Sequence, residues 1–220
     1  TKLNNMTNEE LAKMTGQQGE EKVVAYKLNE IRMSGNDGKF TYLELLGEKN
    51  AEGKYPTKEV GPSFEGVIIK MRWRLFRYDE DATGKADVIS TSEYDNKTTD
   101  KVFVFGKNER GIAQEVKERY QLGSQRVLYV YSPKRDEIMR VIVKPSALTG
   151  DKNPNKEMGL FEYVDMFRNG NTYLHEFMTK FSGVERKDPK NPRKDYFAMT
   201  FTQGDRLRPE TIEKVGTLIK

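Results

Sequence analysis

Two hundred and twenty residues suffice for one domain of ordinary size or two small ones, and 35% apolar residues with 18 glycines allow a core of modest extent. The 38 basic and 34 acidic side chains leave a net charge of +4, mildly basic and rich in both signs. The absence of cysteine excludes disulfides, thiolate metal sites and a Cys nucleophile, a single histidine excludes a multi-His metal site, and no apolar run approaches the ~20 residues of a membrane-spanning helix. The first residues show no charged-then-apolar signal pattern, and a cysteine-free composition rich in Lys and Glu gives the expectation of a soluble, intracellular protein.

Residues 1–33 are polar, with a capping box of Thr7 and Glu10 as their one helical signal. Asn36-Asp37-Gly38 marks a turn. Lys39–Leu46 fits a strand or one turn of helix, and Gly47–Pro62 reads as a loop. Phe64–Tyr78 then alternates over 15 residues, long enough that the strand must bend, as strands of small barrels do. Val88–Asp95 and Lys101–Phe105 predict a second strand pair. Asn108 predicts the N-cap of a helix burying Ile112, Val116 and Tyr120, closed by Gly123. Arg126–Tyr131 and Glu137–Lys144 predict a hairpin. Beyond a linker at Ala147–Asn155 come a short amphipathic helix (Leu160, Val164, Phe167), a long hairpin of Thr172–Phe181 with Tyr196–Thr202, and a last helix from Pro209.

Short strands with one helix between the third and the fourth give the expected class: mainly β (α+β), a five-stranded OB-like Greek-key barrel over 34–147 with an appended helix-hairpin-helix over 156–220. Side chains on a strand face alternate sides, so Phe64–Tyr78 has a core face of Val67, Ile69, Met71, Trp73 and Leu75. Its other face carries Lys70, Arg72, Arg74, Phe76 and Tyr78, cationic and then aromatic, with Arg77 close by. A bulge would turn Trp73 outward to join them. Basic side chains neutralise phosphates and exposed rings stack on bases. Charged residues also keep an ordinary strand soluble and guard its edges. A second basic-aromatic set lies in the following hairpin: Tyr129, Tyr131, Lys134, Arg135, Arg140 and Lys144. Gly183–Lys194 is a basic loop holding Arg186, Lys187, Lys190, Arg193 and Lys194.

Motifs for catalysis are lacking. Neither a P-loop nor a dinucleotide fingerprint occurs. Asp79, Glu80 and Asp81 are adjacent in sequence and so face different ways, a poor two-metal site. Glu115-Val116-Lys117 falls on the predicted helix, and His175 stands alone. The reading is therefore a non-enzyme without cofactor or metal.

Across roughly Lys39–Ala147, with Phe64-Glu65-Gly66-Val67-Ile68-Ile69-Lys70 as its clearest pattern, the chain resembles an OB-fold single-stranded DNA-binding protein of the phage type. The resemblance implies sequence-tolerant binding of single-stranded DNA during replication, recombination or repair, RNA being left open, with replication or recombination proteins as partners and self-association possible. The competing expectation is a non-catalytic phage structural or adaptor protein that uses its β-surface for protein contacts, since 34 acids repel a nucleic acid unless segregated from the binding face.

Overall fold

The computed structural model describes residues 28–80, 86–149, 158–188 and 191–219. It is mainly β, with one large mixed sheet that does not close and three α-helices among the described residues. The strands are β1 (Glu30–Met33), β2 (Phe40–Leu43), β3 (Thr57–Gly61), β4 (Ser63–Glu80), β5 (Ala86–Thr91), β6 (Lys101–Phe105), β7 (Glu109–Ile112), β8 (Gly123–Ser132), β9 (Glu137–Val143), β10 (Phe177–Asp188) and β11 (Asn191–Arg206). The helices are α1 (Ala113–Tyr120), α2 (Leu160–Asn169) and α3 (Pro209–Ile219). Among the described residues no helix is long and apolar enough to cross a membrane.

The described chain forms two compact units, one of residues 28–70 with 128–219 and one of residues 71–127. In the first, β3, β2 and β1 form an antiparallel set, β1 runs parallel to β9 through Glu30 and Ile31 opposite Arg140 and Val141, and β10 pairs with both β11 and the start of β4. Its core is a chain of rings. Phe64 stacks on Phe181 at 4.3 Å and meets Phe40 edge-on at 5.0 Å. Phe181 continues to Phe201 at 5.5 Å, and Phe201 to Tyr163 of α2 at 5.9 Å. Helix α2 buries Leu160, Tyr163 and Phe167. Tyr163 takes the place expected for Val164 because its hydroxyl shares a buried 2.9 Å hydrogen bond with Thr179, so the ring can sink without stranding its oxygen.

A close backbone crossing fixes the β1–β2 turn. Gly38, at φ 69°, lies so near β10 that a Cβ on Gly183 would stand 2.2 Å from the Gly38 carbonyl oxygen. Only glycine on both sides permits that approach. Beside it the Phe197 N–H donates to the Gly35 carbonyl at 3.0 Å.

In the second unit the latter part of β4 pairs with β5, β5 with β6 and β6 with β7. One face of these strands, Leu75, Ile89, Val102 and Val104, packs with Ala113 and Val116 of α1. Thr91 marks an irregularity: Phe76 lies opposite Ser90 but Trp73 opposite Tyr94, a one-residue shift, and the Thr91 hydroxyl accepts the Leu75 N–H at 3.0 Å.

Several expectations need correction. The open sheet replaces the five-stranded barrel. Glu30–Met33 is a strand with Ile31 buried, so the polar segment 1–33 does not end where composition suggested; the Thr7–Glu10 signal lies outside the described residues. The Gly47–Pro62 loop contains β3. Asn108 is not an N-cap: it sits at φ 51° in the β6–β7 turn, a left-handed conformation Asn tolerates, and α1 begins at Ala113. Gln121, at φ 52°, ends that helix, while Gly123 opens β8.

Candidate nucleic-acid interface

Antiparallel register decides which side chains share a face, because residues directly opposite one another point the same way. In the second unit Phe76 is opposite Ser90 and Ser90 opposite Phe105; Tyr78 is opposite Val88; Phe103 is opposite Arg110 and Lys101 opposite Ile112. Together with Arg74 these residues form the sheet face turned away from α1. Tyr78 is 54% exposed and Val88 47%, Lys101 and Arg110 are exposed, and Phe76, Phe103 and Phe105 are half-buried. The Arg74 guanidinium lies 5.3 Å from the Phe76 ring centre, and its Nε donates to Gln125 Oε1 at 2.9 Å. Phe103 and Phe105 meet edge-to-face at 5.4 Å. Between Arg74 and Tyr78 on β4 and across their register partners on β5, β6 and β7 this face carries no carboxylate; Glu80, opposite Ala86, follows next in the same register.

Arg72 shares the parity of Arg74 but is only 5% exposed, and it donates to Asp95 Oδ1 at 3.2 Å and to the Glu93 carbonyl at 3.4 Å. Its charge is spent on tying down the segment after β5. Trp73 faces the core with Leu75, as straight alternation requires, and Arg126 of β8 caps its ring at 4.0 Å. Burial pushes the Arg126 guanidinium below its ordinary value, with Asp95 and Tyr94 opposing the shift. Trp73 is thus half-buried and packed against the core cluster of this unit. Arg77, also on the helix side, ion-pairs with Asp79 at 2.6 Å and donates to the Tyr120 carbonyl at 2.6 Å, where it binds the C-terminal end of α1.

The hairpin residues belong to the first unit. Tyr129 and Tyr131 are 5% and 3% exposed, so neither offers a face to a base. The Tyr131 hydroxyl donates to Asp136 at 2.8 Å, and Lys214 of α3 reaches the same carboxylate, holding it below its usual range. Lys134 is exposed. Arg135 lies 4.2 Å over the Tyr42 ring, whose hydroxyl donates to Glu137 at 2.9 Å. Burial and that carboxylate push Tyr42 up to about 12. Arg140 is 3.8 Å from the buried Glu30 carboxylate. Lys144 is exposed at the end of β9, and Lys70 is half-buried on β4.

Of the other sequence features, Arg186 is buried and donates to the Ser146 carbonyl at 3.1 Å, whereas the side chains of residues 188–194 lie outside the described set. Asp81 lies outside it too, and Asp79 is engaged by Arg77. His175 stacks on Tyr173 at 5.5 Å. Among the described residues no three acidic or histidine side chains gather into a metal site.

The structure thus brings together Arg74, Phe76 and Tyr78 and adds Phe103, Phe105, Lys101 and Arg110, which were not singled out from sequence. Their signal was present: Lys101-Val102-Phe103-Val104-Phe105 alternates valine with larger side chains, and the valines take the core. Comparison with protein-family models, curated proteins and solved structures finds no match for this chain.

Proposed function

We propose that this protein binds single-stranded nucleic acid, without strong sequence preference, on the open face of β4–β7. The observation that carries the reading is the composition of that face: four rings, Phe76, Tyr78, Phe103 and Phe105, with Arg74, Lys101 and Arg110 among them. Rings stack on any base and the cations neutralise phosphates, so the surface suits a strand whose bases are unpaired. Three acids of the same unit are engaged away from this face: Asp79 on Arg77, Asp95 on Arg72, and Glu109 on Arg119 and Tyr120.

This reading needs no catalytic group and no barrel. It keeps the role the OB resemblance suggested, sequence-tolerant handling of exposed strands in the cytoplasm of a bacterial cell or infected host, retains Arg74, Phe76 and Tyr78 of the expected site, and leaves out the hairpin set. A second reading, an adaptor that docks another protein, is favoured by one observation: Tyr78 and Val88 are an exposed apolar cross-strand pair.

A labelled 30-nucleotide single strand titrated at two salt concentrations, with the matching duplex as control, separates the two. Binding that prefers the single strand and weakens with salt, by a log–log slope of about −0.7 per phosphate neutralised, supports the nucleic-acid reading. Absence of binding to either at low salt refutes it and leaves the adaptor.

A further inference from the structure

On the same face, and resting on the nucleic-acid reading, one row of side chains has a shape of its own. Phe76 on β4, Ser90 on β5 and Phe105 on β6 are in direct register, so a small hydroxyl side chain stands between two rings. All three are half-buried, and the row adjoins the exposed Tyr78–Val88 pair. We infer that the Phe76–Ser90–Phe105 row is a slot for one unpaired base, with the two rings as walls and the Ser90 hydroxyl as its polar floor.

Dimensions support this occupant. Two strand spacings place the Cα atoms of Phe76 and Phe105 ~9.6 Å apart. A flat ring in contact with a ring on either side needs two van der Waals separations, ~7–8 Å. The span admits one planar ring with a small inward lean of the walls; it does not admit a ring with its partner still stacked on it. Charge complementarity completes the case, because Arg74 lies beside Phe76, and Lys101 and Arg110 border Phe103 on the same face, where a phosphate chain entering the slot would run. Ser90 supplies both a donor and an acceptor to a base edge, which suits any of the bases. The slot therefore selects for an unstacked base rather than for a sequence, and it makes single-strandedness itself the recognised feature.

The test uses the full chain and two 30-nucleotide probes of equal phosphate count, oligo(dT) and an abasic strand of the same length. The protein is expected to prefer oligo(dT) by about tenfold or more, as one stacked base implies. Ser90→Leu fills the slot without changing charge and is expected to cut that preference severalfold while leaving abasic binding intact; Ser90→Ala is expected to keep it. Phe105→Leu, which retains apolar bulk but removes a wall, is expected to cut it as well and decides the matter if circular dichroism shows Ser90→Leu misfolded. An undiminished preference in both Ser90→Leu and Phe105→Leu overturns the slot. Equal binding of both probes by the unaltered protein also overturns the slot and leaves phosphate binding standing, whereas no binding of either probe overturns the nucleic-acid reading itself.

Discussion

Gly183→Ala is the sharpest test of how the first unit is assembled. A Cβ at this position would lie 2.2 Å from the Gly38 carbonyl oxygen and 2.8 Å from the Gly38 Cα, against the ~3.5 Å of ordinary contact. The obstruction is backbone, so no rotamer change relieves it, and one chain must retreat by roughly 1 Å. Retreat of the β1–β2 turn stretches the 3.0 Å bond from Phe197 N–H to Gly35; retreat of β10 stretches the 3.2 Å bond from Gly183 N–H to Pro62. Overpacking at ~1–3 kcal/mol and one weakened hydrogen bond at ~1 kcal/mol give a loss of about 2–4 kcal/mol. Urea unfolding followed by far-ultraviolet circular dichroism should show a midpoint about 1–2 M lower. Gly216→Ala in α3 is the matched control: its Cβ meets nothing within 4 Å, and the helix should gain about 0.5–1 kcal/mol. A Gly183→Ala protein that unfolds within ~0.5 kcal/mol of the original refutes the crossing, since a clash of that size cannot be silent.

Three further outcomes are expected. Tyr42 and Tyr163, both pushed up to about 12 and chiefly by burial, should resist ionisation when absorbance at 295 nm is followed through pH 10, the range where unfolded tyrosines titrate. Because their folded values lie above the unfolded one, the stability they contribute is complete below pH ~10 and declines as pH rises from there toward 12; a melting temperature flat across that interval contradicts this. Thr91→Val leaves the Leu75 N–H without its 3.0 Å acceptor in a buried position and should cost about 1–3 kcal/mol by urea unfolding. Arg126→Met uncovers no new charge but removes the guanidinium 4.0 Å from the Trp73 ring, so the emission of the sole tryptophan should change, and an identical spectrum disproves the stacked pair.

Particular residues show how far the sequence carried this structure. The long strand was legible because Val67 and Leu75 repeat at even spacing over a run free of glycine or proline after Gly66. β3 was missed because Thr57-Lys58-Glu59 is exposed throughout and therefore has no apolar side to reveal it. β1 was missed for another reason: Glu30 reads as polar surface, yet it is 2% exposed and answered by Arg32 and Arg140, the latter more than a hundred positions away. For the candidate site, parity selected Tyr129 and Tyr131 on the assumption that β8 has an open side. Val127-Leu128-Tyr129-Val130-Tyr131 is in fact buried without interruption, and such an unbroken apolar run is what a strand covered on both faces requires. Arg74, Phe76 and Tyr78 were found because their strand does alternate there. Phe103 and Phe105 needed the register with β5 and β7, a long-range fact that no local pattern contains.

The parallel pairing of β1 with β9 has a consequence for synthesis on the ribosome. A nascent chain emerges N-terminus first, and residues 71–127 leave the tunnel with every strand-pairing partner among β5, β6 and β7 already made. β1 waits far longer: Glu30 has no Arg140 to lie beside until β9 is out, and Phe64 has no Phe181 until β10 follows. Phe181 follows Phe64 by about 120 residues, so at ~5–20 residues per second that wait lasts on the order of 6–24 s. During that interval Ile31, Phe40 and Phe64 are apolar side chains whose cover has not yet been translated, which makes the leading strands the segment most in need of a chaperone.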